Sequence, residues 1–192
     1  MKSPALLLVL LLPLSTLAQS SPETPWLKKG EIQIGVGVGR SWGGYTGFVG
    51  RTTPYVQYFI KDRWSVRLEG EYEIYQLSAK RNQGAGRSRA FGIGLSTQYY
   101  FLKRERFALY GMVGYSYGKA RTNIYNPFES SSPPIGTHRS NYNRLSLGVG
   151  AQYRLGERWL LNGQIQQQAT NRQLEIENSA THVSIGVGFR IK

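Results

Sequence analysis

The sequence predicts an all-β chain, an eight-stranded antiparallel up-and-down transmembrane β-barrel preceded by a cleaved signal peptide. Three observations predict it. A short apolar run near the start ends in a cleavage site, apolar residues recur at every second position from Glu31 onward, and the connections between the apolar runs alternate short and long.

The signal comes first. Lys2 supplies the positive start, Ala5 to Leu12 the apolar run and Pro13 its interruption. Thr16-Leu17-Ala18 then places small residues where a signal peptidase reads them. A helical membrane anchor needs about 20 consecutive apolar residues, more than this run holds. Export with cleavage after Ala18 is expected, so residues 1–18 are the signal peptide. Residues 19–30, with two Pro, three Ser or Thr and a Lys pair, read as a periplasmic lead-in, and 31–192 as the barrel. The chain has no Cys, so neither a lipidated N-terminus nor a disulfide framework is available.

Formal charge is +13 at pH 7, with Asp62 the only aspartate. In a cytosolic protein such basicity suggests nucleic acid. An exported chain never meets the chromosome, so no nucleic-acid partner is expected, and anionic lipid or a surface polyanion is the better class. The near absence of Asp argues against calcium loops, and no metal or cofactor is expected.

The strands follow in order. Ile32, Ile34, Val36 and Val38 alternate with Gln33, Gly35, Gly37 and Gly39. Runs near 52–60, 64–76, 89–101, 107–118, 141–155 and 158–169 come next, most at least as long as the 9–11 residues of a tilted membrane strand. Their apolar faces include Val66 and Leu68, Phe91 and Ile93, Val113 and Tyr115, Leu145 and Leu147, then Leu161 and Ile165. The last run alternates Val183, Ile185, Val187, Phe189 and Ile191 with Ser184, Gly186, Gly188 and Arg190.

The connections at 61–63, 102–106 and 156–157 are tight, and those near 41–51, 77–88, 119–140 and 170–180 are long. Outer-membrane barrels sort their connections this way, with short periplasmic turns and longer external loops. Aromatic residues near run ends (Tyr58, Trp64, Tyr99, Phe101, Phe107, Tyr153, Trp159, Phe189) suit two interfacial girdles and favour a polar inside and an apolar outside. On these features the chain resembles the OmpA- and OmpX-type eight-stranded barrels, within the outer membrane protein beta-barrel domain family, over about residues 30–192. The resemblance implies residence in the cell outer membrane, a monomer, and contact with the barrel-insertion machinery during biogenesis. It departs from the pattern at its end, where Phe189 is followed by three residues. It implies no cell-wall anchoring, because no peptidoglycan-binding domain is present.

Candidate functional residues fall into four groups. The Gly-x-Gly runs lack the third glycine and helix of a phosphate fingerprint and read as relief of crowding in a narrow lumen. Glu69, Glu71 and Glu73 form an inward column that needs compensation, because unpaired buried charge is costly. Arg67, Arg89, Arg144, Arg154 and Arg190 are the candidate partners, in a plugging network rather than a narrow pore. His182 and Ser184 should face inward near the outer end of the last strand. Such a pair resembles the base and nucleophile of outer-membrane lipid A deacylases, but their acid lies downstream of the Ser, where no acidic residue follows here. Enzyme activity is therefore not expected. Last, Lys80, Arg81, Arg87, Arg89, Arg121 and Arg139 crowd the external loops, with Arg40, Arg51, Lys119, Arg172 and, besides its luminal candidacy, Arg144 on the same rim. Arg pairs well with phosphate, so outer-membrane lipids and lipopolysaccharide are the expected partners. The expected role is structural or one of surface interaction.

Overall fold

A strand in hydrocarbon has no water to satisfy its backbone, so a sheet there must close on itself. The computed structural model describes residues 26–42, 47–77, 86–124, 136–172 and 175–191. The strands are β1 (Ile32–Trp42), β2 (Gly47–Lys61), β3 (Trp64–Leu77), β4 (Gly86–Lys103), β5 (Phe107–Ile124), β6 (Gly136–Leu155), β7 (Trp159–Arg172) and β8 (Glu175–Arg190). Each pairs antiparallel with the next, and β8 pairs with β1 to close the barrel.

The register sets the barrel's shape. Followed round the ladders from Ile32, it passes Tyr58, Val66, Thr97, Val113, Leu147, Gln167 and Thr181 and returns at Trp42, ten residues further along β1. With strands about 4.8 Å apart and a rise of about 3.3 Å per residue, that stagger tilts them by about 40°. At this tilt the outward residues of β5 from Phe107 to Tyr117 cover about 25 Å of height, which matches the apolar band of membrane barrels.

The faces are inverted relative to a soluble barrel. Phe91 (63 % exposed), Leu147 (64 %) and Ile185 (67 %) point outward, whereas Gln33, Gln57, Gln98 and Gln152 are fully buried inside. Luminal glycines are matched to large side chains. A Cβ at Gly35 would stand 2.5 Å from the Tyr55 ring, one at Gly118 2.5 Å from the Tyr142 ring, and one at Gly39 2.6 Å from the His182 ring. The Gly-x-Gly pattern is a packing pattern.

The periplasmic end is filled by residues ahead of β1. Trp26 and Leu27 are buried in one cluster with Phe59, Tyr100, Ala108, Tyr110, Met112 and Leu160. The Trp26 indole N–H donates to the Arg104 carbonyl (3.1 Å), and the Arg63 N–H donates to the Leu27 carbonyl (3.0 Å). Leu27 holds a φ of 60°, a left-handed conformation that costs a non-glycine residue roughly 1–2 kcal/mol. Burial of two large side chains offsets it. Residues 26 and 27, expected in the lead-in, thus belong to the barrel's core.

Turns after β2, β4 and β6 are short. Gly156 has φ +70° in the β6–β7 turn, a conformation glycine adopts without strain. At the outer end the strands run further than alternation predicts. β4 starts at Gly86, β5 ends at Ile124 and β6 starts at Gly136, so the ladders take up much of the expected loops. Above the apolar band a strand needs no apolar face, so backbone pairing continues where the hydropathy signal stops.

Candidate functional site

Inside the barrel, β2, β3 and β6 bring four charges together. Arg144 donates to Glu71 (2.8 Å) and to Glu73 (3.0 Å), and its guanidinium also lies 2.8 Å from the second Glu73 oxygen. Arg51 bonds Glu73 and donates to Gln168 (2.9 Å). The Tyr142 hydroxyl donates to Glu71 (3.0 Å), and the Tyr75 hydroxyl donates to Glu73. All four charged side chains are 4 % exposed or less. Two arginines neutralise two carboxylates, and the hydroxyls satisfy remaining lone pairs. A buried ion cluster holds only with such saturation.

The remaining inward charges sit elsewhere. Arg67 lies deeper, donating twice to the Gln57 carbonyl oxygen (3.1 and 2.7 Å), with its guanidinium 4.0 Å from the Tyr55 ring centre. Glu69 makes no ion pair among the described residues. Arg190 pairs with Glu31 (2.9 Å) at the periplasmic mouth. Arg154 is also at that mouth, beside the Trp26 ring.

Two placements correct the sequence reading. Arg51, assigned to the external rim, is luminal and buried, because β2 begins at Gly47 rather than near 52. Arg89, offered as a luminal partner, shares the face of Phe91 two residues on and is exposed on the outside.

His182 and Ser184 both point inward and are buried. The His182 Nδ1 atom faces the Ser41 hydroxyl at 3.0 Å. Among the described residues no carboxylate bonds its ring in the way a catalytic triad orients its base.

On the outside, three arginines fall into one row. Arg89 on β4 stands opposite Arg121 on β5, which stands opposite Arg139 on β6. All three are exposed, and so is Lys119, the next outward residue below Arg121. Lys119 lies opposite Phe91 and Asn141. Tyr117, Phe91 and Leu145 are exposed just beneath, so the row stands immediately above the apolar band. Like charges directly opposite one another destabilise a ladder, and only the register reveals that these three are neighbours. Lys80 and Arg81 lie outside the described residues. Arg87 is on β4, with its side chain outside them.

The family model described as "Outer membrane protein beta-barrel domain" matches residues 5–190. No curated protein matches the chain. Several solved structures share the fold. Ail of Yersinia pestis is 15 % identical, with 85 % of this chain and 99 % of that one covered and a TM-score of 0.51. Neisserial surface protein A is 16 % identical, with 83 % and 95 % covered and a TM-score of 0.58. OprG from Pseudomonas aeruginosa is 17 % identical, with 88 % and 99 % covered and a TM-score of 0.53. Taken with the closed eight-stranded barrel and its inverted faces, the match over nearly the whole length means that the chain belongs to the outer membrane protein beta-barrel domain family and resides in the outer membrane.

Proposed function

We propose that this protein is a non-catalytic barrel that engages the outer leaflet through its basic external face, with Arg89, Arg121 and Arg139 holding phosphates of lipopolysaccharide. The observation that carries this reading is the cross-strand arginine row. Three strands about 4.8 Å apart spread the guanidinium groups over about 10 Å, wide enough to take more than one phosphate. Arg offers phosphate paired, charge-assisted N–H bonds, and the exposed Phe91, Tyr117 and Leu145 directly below suit the acyl chains. Bound phosphate also removes the like-charge repulsion along the row.

A fold relative, Ail, has a structure in complex with the heparin analogue sucrose octasulfate, at 16 % identity and a TM-score of 0.53. The row here faces sideways toward the bilayer, which favours lipid phosphate over a soluble polyanion. The absence of catalysis belongs to the same reading. Lipid A acylation in cells should be the same with and without the protein, and unchanged by His182→Ala with Ser184→Ala.

The direct test is the thermal stability of the purified barrel with and without lipopolysaccharide at two salt concentrations. The parent should gain from the lipid, and the gain should shrink as salt rises, because exposed charges are screened beyond about 8 Å at physiological ionic strength. Arg89→Gln, Arg121→Gln and Arg139→Gln together should remove most of the gain. Gln at Lys80, Arg81 and Arg87 should remove less. Equal gains for parent and triple variant at both salts would leave the row a solvated surface, and competition by sucrose octasulfate alone would redirect it to a soluble polyanion.

A further inference from the structure

The three periplasmic turns share a pattern that the outer face does not explain. Each ends in an acidic residue, an arginine and an aromatic residue: Asp62-Arg63-Trp64, Glu105-Arg106-Phe107 and Glu157-Arg158-Trp159. The structure gives the three arginines matching backbone pairing, although Arg63 alone of them holds a positive φ, of 64°. Each immediately precedes an odd-numbered strand, β3, β5 or β7. Each offers its carbonyl to the backbone N–H of the neighbouring strand, from Tyr100 (2.8 Å), Arg154 (2.7 Å) and Arg190 (2.8 Å) respectively. All three side chains are exposed. Among the described residues none of the three makes a side-chain hydrogen bond or ion pair. Their acidic neighbours do not quench them. Asp62 accepts the Lys29 backbone N–H (2.8 Å), and Glu105 and Glu157 form no ion pair among the described residues.

A second observation points to a ligand. Between the β4–β5 and β6–β7 turns, Arg106, Arg154, Arg158 and Arg190 converge with Glu105 and Glu157 on a cavity of about 620 Å³. The buried Nε of Arg154 has no hydrogen-bond partner there. Arg190 is already paired with Glu31, so three guanidinium groups face the carboxylates of Glu105 and Glu157, a net positive lining that suits an anion.

We propose that these turns form a binding rim for anionic phospholipid in the periplasmic leaflet, with Arg63, Arg106 and Arg158 holding headgroup phosphates. The aromatic partners fix the height. Trp64 and Trp159 point outward and are exposed, at the level where girdle residues meet the headgroups. Each arginine is one residue further toward water, about 2.5 Å along the barrel axis at a tilt of about 40°, in the direction of the headgroup phosphates. The remaining sector of the rim carries exposed Lys28 and Lys29. This rim lies on the opposite side of the membrane from the arginine row of β4–β6 and stands or falls independently of it.

Tryptophan quenching reads the rim locally. In a Trp42→Phe background, Trp64 and Trp159 report from the periplasmic interface while Trp26 stays buried in the mouth. The barrel is placed in phosphatidylcholine bilayers containing the same mole fraction of either brominated phosphatidylglycerol or brominated phosphatidylcholine. The brominated phosphatidylglycerol should quench more strongly, because one basic residue at a surface enriches anionic lipid roughly fivefold. Arg63→Gln, Arg106→Gln and Arg158→Gln together should abolish the difference, and the three Gln substitutions in the outer row should leave it. Equal quenching by the two lipids in the parent, or a difference that survives in the rim variant, overturns the proposal. If inorganic phosphate at constant ionic strength erases the difference, the cavity takes a free anion and the lipid assignment falls. Should the triple variant fail to fold, Arg158→Gln is read at Trp159 with Trp64→Phe added, against the same two outcomes.

Discussion

Arg144 touches Glu71, Glu73 and Thr170 at once, and its removal leaves two carboxylates sharing the single charge of Arg51. Breaking a truly buried pair by deleting one partner costs about 3–5 kcal/mol, and less where water enters. Arg144→Met should therefore destabilise the barrel severely in denaturant unfolding from bilayers. Arg139→Met, on the exposed row, should stay within about 0.5 kcal/mol in lipid free of phosphorylated glycolipid. Equal losses would mean that the lumen is wet enough to screen its charges. The other luminal arginine pairings follow the same logic of saturation. Among the described residues Arg67 has no carboxylate bonded to it and is held by Gln57 and by the face of Tyr55, because an amide oxygen and an aromatic face can share a guanidinium that water cannot reach.

At the scale of one strand, the period of two decides which substitutions matter. Val187 on β8 faces outward, and Gly186 beside it faces the lumen. Arg at a lipid-facing site costs roughly 2–4 kcal/mol at the midplane of such barrels and less toward the interfaces. Val187→Arg should lower folding yield and stability in bilayers well below Leu147→Thr, a milder change on the same face, as followed by gel shift and tryptophan fluorescence. A silent Val187→Arg would put β8 in the wrong register. β4, β5 and β6 raise a different matter. Their outer ends carry the arginine row above the apolar band, where strand pairing has to hold against like-charge repulsion. That part of the sheet is the part whose order should depend most on bound anion.

For the whole molecule, the interior is blocked at two heights. The ion cluster of Arg51, Glu71, Glu73 and Arg144 lies in the outer half, and the Trp26, Phe59, Tyr100 and Tyr110 cluster fills the periplasmic mouth. An eight-stranded barrel leaves room for side chains rather than a water column. Planar-bilayer recordings should show no large, steady conductance. A stable open level in the parent protein would require one of the two blocks to move. Closure of the sheet also predicts that the folded barrel resists extraction by salt and migrates differently on gels before and after boiling, since there is no free edge at which unfolding can begin.

Strand count, face assignment and membrane residence were legible from residues alone, because side-chain alternation and loop length are local properties of the chain. The inward placement of Glu71, Glu73, His182 and Ser184 was legible for the same reason. Partner choice was not. Arg144 meets carboxylates more than seventy positions away in the sequence, and the ten-residue stagger of the register is what brings them level. Arg51 was hidden because hydropathy alternation begins after it, and only the strand pairing carries β2 that far. The Arg89, Arg121 and Arg139 row belongs to the same class. Its members come from three strands, each unremarkable as one more basic residue near a loop, and the ladders set them side by side. Local sequence decided which way each side chain points. Only closure of the barrel, through its shear, decided which side chains meet.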